Sequence, residues 1–159
     1  MPGFPSPVGK AGQAQFGPAP WLHGDRSQLP VRIDGKVVHC CAFDVVWCTQ
    51  YKTPVLCDAI RERLEEVISS VLAHRQALLL DLEIRPDHVH LIAGISPQFG
   101  IHRLVKAVKA RSAYLLRDEF PELRSRMPSM WTNAYLVRTI GGALEQTVID
   151  SYLAQQSTR

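Results

Sequence analysis

The stretch "RPDHVHLIAG", residues 85–94, decides how this chain folds. Side chains alternate across a strand, so Val89, Leu91 and Ala93, continued by Ile95, share one fully apolar face. His88, His90, Ile92 and Gly94 share the other. The apolar set has to be covered by the rest of the domain, which predicts a half-buried strand with both histidines on its open side. "ALLLDLEIR", residues 77–85, alternates as well, and Pro86 and Asp87 between the two runs are turn residues. Residues 77–95 therefore read as a hairpin, and a tight turn puts Glu83 opposite His90 on the same face.

Working outward, "KVVHCCAFDVVWCTQ", residues 36–50, is dense in β-branched and aromatic residues and reads as one long strand with both faces largely covered. "YKTPVL" ends it. "CDAIRERLEEVISSVLAHR" follows with Ile60, Leu64, Val67, Ile68, Val71 and Leu72 at helical spacing. After the hairpin, "IHRLVKAVKARSAYLLRDEF" carries a second apolar stripe at Ile101, Leu104, Val105, Val108, Leu115 and Leu116, and Pro121 stops it. "PELRSRMPSM" reads as a loop and "WTNAYLVRTI" as a fourth strand. Gly141 and Gly142 break the chain before a last helix, "ALEQTVIDSYLAQQ". The expected fold is α+β: a ferredoxin-like βαββαβ core, with an antiparallel sheet, helices on one face and an additional C-terminal helix.

At 159 residues and 46% hydrophobic content the chain suits a single core. Its formal charge of +3 permits a nucleic-acid partner without steering strongly toward one. Cys40, Cys41, Cys48 and Cys57 show no CxxC spacing and read as reduced core thiols. No apolar run approaches the ~20 residues that span a bilayer, and the N-terminus lacks signal-peptide order, so a cytoplasmic protein without membrane contact is expected. The first thirty residues hold six prolines and five glycines without apolar periodicity. They read as a flexible extension, residues 1–33, ahead of a folded domain at 34–159. Phe4, Phe16 and Trp21 are candidate anchors within it.

On strand geometry alone, His88 and His90 are either a metal-binding pair, with Cα atoms ~6.5 to 7 Å apart, or two histidines sharing a polar sheet face. Glu83 is the candidate carboxylate that would orient a ligating imidazole or assist binding directly. On the last helix Leu144, Val148, Ile149, Tyr152 and Leu153 form one broad face, and Gln156 falls inside it one turn beyond Tyr152. Tyr152 is either a packed aromatic or part of a polar site that Gln156 also addresses. The two glycines before the helix serve as a hinge or as a simple turn.

Five stretches in order, "WCTQYKTPVL", "PDHVHLI", "VKAVKARSA", "MWTNAYLVRTI" and "IDSYLAQQ", closely resemble the HUH single-tyrosine transposases of small bacterial insertion sequences. The resemblance runs from about His39 to Gln156. It implies a homodimer in which a histidine pair from one subunit meets a tyrosine helix often supplied by the other. It also implies that His88, His90 and Gln156 hold Mg²⁺ or Mn²⁺, and that Tyr152 attacks single-stranded DNA beside a hairpin. The product would be a 5′-phosphotyrosine and a free 3′-hydroxyl, from which the insertion sequence is rejoined elsewhere without ATP. Lys52, Arg103, Lys106, Lys109 and Arg111 are candidate phosphate contacts, with a solvated surface as their alternative. Trp131 and Tyr135 either stack on bases or belong to the core. Competing functions are a domesticated relative cutting repeated extragenic palindromes, a non-catalytic DNA-binding module of the same fold, and a metal-dependent hydrolase. The last would need a third ligand, which His23, His39, His74 and His102 do not evidently provide.

Overall fold

The computed structural model describes residues 29–141 and 146–156. Six strands and four helices follow one another: β1 (Arg32–Asp34), β2 (Val37–His39), β3 (Ala42–Cys48), α1 (Asp58–His74), β4 (Leu78–Ile84), β5 (His88–Gly94), α2 (Ile101–Glu119), α3 (Glu122–Arg126), β6 (Leu136–Ile140) and α4 (Gln146–Gln156). The main sheet is antiparallel throughout, in the order β4-β5-β3-β6. From β3 onward this is the expected βαββαβ order with the extra helix.

Alternation along β5 sets the two layers. Val89, Leu91, Ala93 and Ile95 are all buried in the core, with Val45 and Trp47 from β3 and Leu82 from β4. Leu64, Ile68 and Leu72 of α1 and Leu104, Val105, Val108 and Leu116 of α2 meet them from the other side. These are the stripe residues expected from helical spacing. Each buried aliphatic side chain contributes about 1.5–3 kcal/mol, so the helices are held to this one face, and the histidine face of β5 is free of them.

Several elements differ from the sequence reading. The long first strand breaks at Cys40 and Cys41, and its front half pairs instead with β1 in a separate two-stranded sheet, Arg32 to His39 through Asp34 to Val37. Gly35, at φ +59°, occupies the first position of the two-residue turn, where a residue without Cβ is favoured. The end expected for the extension, residue 33, falls within β1, and most of the extension, with Phe4, Phe16 and Trp21, lies outside the described residues. The fourth strand begins at Leu136 rather than Trp131. Trp131 is instead a core residue, packed edge-on against Trp47 at 6.0 Å, its indole N–H donating to the Ser112 hydroxyl at 3.0 Å. The loop at 121–130 contains α3, where Pro121 is preset to helical φ and Leu123 is fully buried. All four cysteines are free, but none is core: Cys57 is exposed and the other three are half-buried. The last helix buries none of its described residues, and Tyr152 and Leu153 are exposed. Of its apolar face, Val148 and Ile149 are half-buried; Gly142 and Leu144 lie outside the described residues. No helix among the described residues is long and apolar enough to cross a membrane.

Candidate active site

The open face of the sheet gathers the candidate chemistry near the β4–β5 turn. That turn is held from outside its own hairpin: the Thr49 amide donates to the Asp87 carbonyl at 3.0 Å, the Thr49 hydroxyl shares its one proton between that carbonyl at 3.1 Å and the Thr53 carbonyl at 2.8 Å, and the Leu56 amide donates to the Pro86 carbonyl at 2.9 Å. His88, the first residue of β5, pairs with Cys48 of β3, and His90 pairs with Val46 on one side and Glu83 on the other. Glu83 is therefore opposite His90, as a tight turn requires. Its carboxylate, however, forms an ion pair with Arg85.

The carboxylates that do hold the histidines are different ones. His88 Nδ1 donates to Asp87 Oδ1 at 2.6 Å. Asp87 is also 3.7 Å from the Lys52 ammonium. The His88 contact first, then the Lys52 charge, hold the Asp87 carboxyl below the usual range. His90 Nε2 donates to Asp44 Oδ1, a residue that lies diagonally across on β3 and is only 6% exposed. The other oxygen of Asp44 accepts from Arg138 Nη2 of β6 at 2.7 Å. Asp44 and Arg138 did not emerge from the sequence. The available signal was an aspartate inside the apolar run "AFDVVWC", in a position that alternation places on the face of Ala42 and Val46 rather than with Val45 and Trp47.

A carboxylate only accepts hydrogen bonds, so the ring nitrogen facing it carries the proton, and in a neutral imidazole the second nitrogen keeps its lone pair. His88 Nε2 and His90 Nδ1 are the nitrogens so left. Metal-binding histidines usually have this pattern, in which one nitrogen is fixed by a carboxylate and the other is presented to the ion. The donor chemistry thus fits a divalent cation. Among the described residues there is no cluster of three or more His, Cys, Asp or Glu side chains able to hold one. Two imidazoles supply part of a coordination shell, and further donors must complete it.

Tyr152 and Gln156 are exposed on α4. Neither has a side-chain hydrogen bond or ring contact to the histidine pair among the described residues.

The basic candidates divide between the two layers. Lys52 stands at the turn beside Asp87, whereas Arg103, Lys106, Lys109 and Arg111 belong to α2, on the far side of the sheet from the histidines. Lys109 points inward: its ammonium donates to the Thr132 carbonyl at 2.6 Å and the Ala134 carbonyl at 3.3 Å, and burial lowers its pKa. It fastens the irregular chain before β6. Arg103 lies over the Phe99 ring at 4.7 Å. Lys106 is exposed, and Arg111 lines an open groove of about 630 Å³ between α1 and α2 with His74, Arg75 and Tyr114. Tyr135 is half-buried and its hydroxyl bonds His102 at 2.8 Å.

A helix-backed antiparallel sheet that presents a His-x-His pair on the face opposite its two long helices, and ends in a helix carrying a tyrosine and a glutamine one turn apart, has the make-up of the single-tyrosine HUH class. The chain belongs to the IS200-like transposase family, whose model, "Transposase IS200 like", matches residues 37–156. It is similar to the ISDra2 transposase TnpA of Deinococcus radiodurans, with 28% identity over 100 residues, covering 62% of this chain and 71% of the relative. A crystal structure of a transposase candidate from Deinococcus radiodurans R1 superposes with a TM-score of 0.63 at 28% identity, covering 79% of this chain and 97% of that one. A REP-associated tyrosine transposase bound to a REP hairpin is more distant, with a TM-score of 0.48 and 12% identity over 70% of this chain and 61% of that one.

Proposed function

We propose that the protein is a metal-dependent single-stranded DNA transposase that cleaves and rejoins DNA through Tyr152, excising and inserting an insertion sequence. The observation that carries this reading is the pair His88 and His90 on the sheet face opposite α1 and α2, each with one ring nitrogen engaged by a carboxylate and the other left as a lone-pair donor. In a chain of this family, such a pair is suited to a Mg²⁺ or Mn²⁺ ion. Gln156 is the proposed third ligand, and phosphate and water oxygens complete a shell of the kind hard cations take. When bound, the ion supplies charge that polarises the scissile phosphate.

Tyr152 Oη attacks the phosphorus, the bond from phosphorus to the 3′-oxygen breaks, the phenolic proton leaves to solvent, and the departing oxygen gains a proton. The products are a 5′-phosphotyrosine and a 3′-hydroxyl. The phosphodiester count is conserved, so a second 3′-hydroxyl can reverse the step on a new strand. Because Tyr152 is exposed on α4 and has no hydrogen bond or ring contact with the histidines among the described residues, the reading includes a homodimer in which α4 docks on a site, its own or its partner's. Lys52 is the proposed phosphate contact beside the site. Arg103, Lys106 and Arg111 on the helix layer suit a hairpin stem held away from the cleavage point. Glu83, opposite His90, is kept as a neighbour that tunes the site's charge. The domain responsible runs from β1 through α4, with the residues before β1 as an extension.

The test incubates the protein with single-stranded hairpin DNA and Mg²⁺ or Mn²⁺, then looks for a covalent protein–DNA adduct on a denaturing gel. The adduct is expected with the wild-type protein and absent with Tyr152→Phe or with EDTA. An adduct that survives Tyr152→Phe excludes this nucleophile, and one that survives EDTA excludes the ion.

A further inference from the structure

We propose that Asp44 is a positioning residue that fixes the His90 ring for the ion, an inference that rests on the metal-site reading above. Asp44 is a carboxylate set into the central strand of the sheet and removed almost entirely from water. Such a group is costly to bury unless donors meet it. Two do, one on each neighbouring strand: the imidazole of His90 on β5 and the guanidinium of Arg138 on β6. The strands do not need this chain of contacts to stay together. The backbone already pairs β3 with β5 over the seven residues from Ala42 to Cys48, and β3 with β6 over the five from Ala42 to Val46.

What the contact changes is the imidazole. An exposed histidine rotates about two side-chain bonds and exchanges its proton between two nitrogens. A fixed carboxylate at Nε2 selects one tautomer and one ring orientation, and leaves Nδ1 as the lone-pair nitrogen. Arg138 in turn fixes the carboxylate, because its bond to Oδ2 leaves Oδ1 aimed at His90. The row Arg138, Asp44, His90 crosses three adjacent strands on one face. It ends at the imidazole, which is the group that would meet the ion.

Two measurements test this. In the metal-free protein, long-range ¹H–¹⁵N spectra of the histidines report which ring nitrogen carries the proton. His90 is expected as the Nε2–H tautomer in the wild type and as a mixture in Asp44→Asn. Mn²⁺ titration is expected to show affinity about 10–100-fold weaker in Asp44→Asn, the range typical of losing such a partner, and a shift in the same direction but smaller in Arg138→Gln. Should Asp44→Asn fail to fold, Arg138→Gln and the wild-type tautomer carry the test. A tautomer mixture in the wild type overturns the proposal, as does Mn²⁺ affinity in Asp44→Asn within about twofold of wild type. The two readings fail differently. Mn²⁺ binding that depends on His88 and His90 but ignores Asp44 removes the positioning role alone. Wild-type protein with no such histidine-dependent binding removes the metal reading, and the positioning role with it.

Discussion

Replacing Lys109 with methionine separates a structural lysine from a DNA-binding one. The side chain's apolar stem is preserved and its ammonium is lost. The ammonium makes one short bond to the Thr132 carbonyl at 2.6 Å and a longer one to the Ala134 carbonyl at 3.3 Å. A hydrogen bond from a charged donor contributes about 1.5–3 kcal/mol, and the longer bond adds a fraction of that. Against this stands the cost of burying the ammonium, which is the cause of its lowered pKa. The net loss is about 2 kcal/mol, which in a domain of this size lowers Tm by roughly 4–8 °C. Lys106→Met, three residues earlier on an exposed position, should leave Tm within about 1 °C. Binding of a DNA hairpin measured across a salt series gives the opposite ranking. Each phosphate contact on a duplex stem contributes about 0.9 to the log–log slope, so Lys106→Met should reduce the slope by about that amount and Lys109→Met should leave it unchanged. If Lys109→Met keeps its Tm and loses the slope, the inward assignment is wrong and the residue is a phosphate contact.

Ser112→Ala should destabilise the domain by about 1–3 kcal/mol in chemical denaturation, because the buried Trp131 indole N–H loses its acceptor; a change below about 0.5 kcal/mol would show that the bond contributes little. His39 should make stability depend on pH. Burial first, then the charge of Arg32, holds its folded pKa below the ordinary histidine value of 6.5. The unfolded chain therefore binds the proton first as pH falls, and the stability present above 6.5 is lost as pH drops from there toward the folded pKa. Tm curves from about pH 7.5 to about pH 5 should fall more steeply for the wild type than for His39→Gln, and parallel curves would contradict the burial.

The features that were legible in the sequence are the ones set by local period. Alternation through Val89, Leu91 and Ala93 gave the buried face and, by exclusion, the histidine face. The turn at Pro86 and Asp87 gave the pairing of Glu83 with His90. Helical spacing selected Leu64, Ile68, Leu104 and Val108 for the core. What was missed depends on which elements become neighbours. Asp44 reaches His90 only because β3 lies beside β5 with Asp44 paired to Ile92, and neither strand's own pattern contains that register. Glu83 was the carboxylate visible within the hairpin, so it stood in for one two strands from it. Lys109 looked like a solvent-facing helix residue because the chain that folds over it comes more than twenty residues later. Strands β1 and β2, three residues each, are too short to show a period at all.

Loops are where homologous chains usually gain and lose residues, and the latched turn at 85–87 is a loop that cannot. One residue added between Asp87 and His88, with β4 and the Thr49 contacts left in place, would slide β5 by a single position against its neighbours. That slide would rotate both imidazoles into the helix-covered interior and turn Val89 and Leu91 out to water. Length change and tag insertion are better sought at the exposed turn of Gly35 and Lys36, whose hairpin shares no strand pairing with the main sheet.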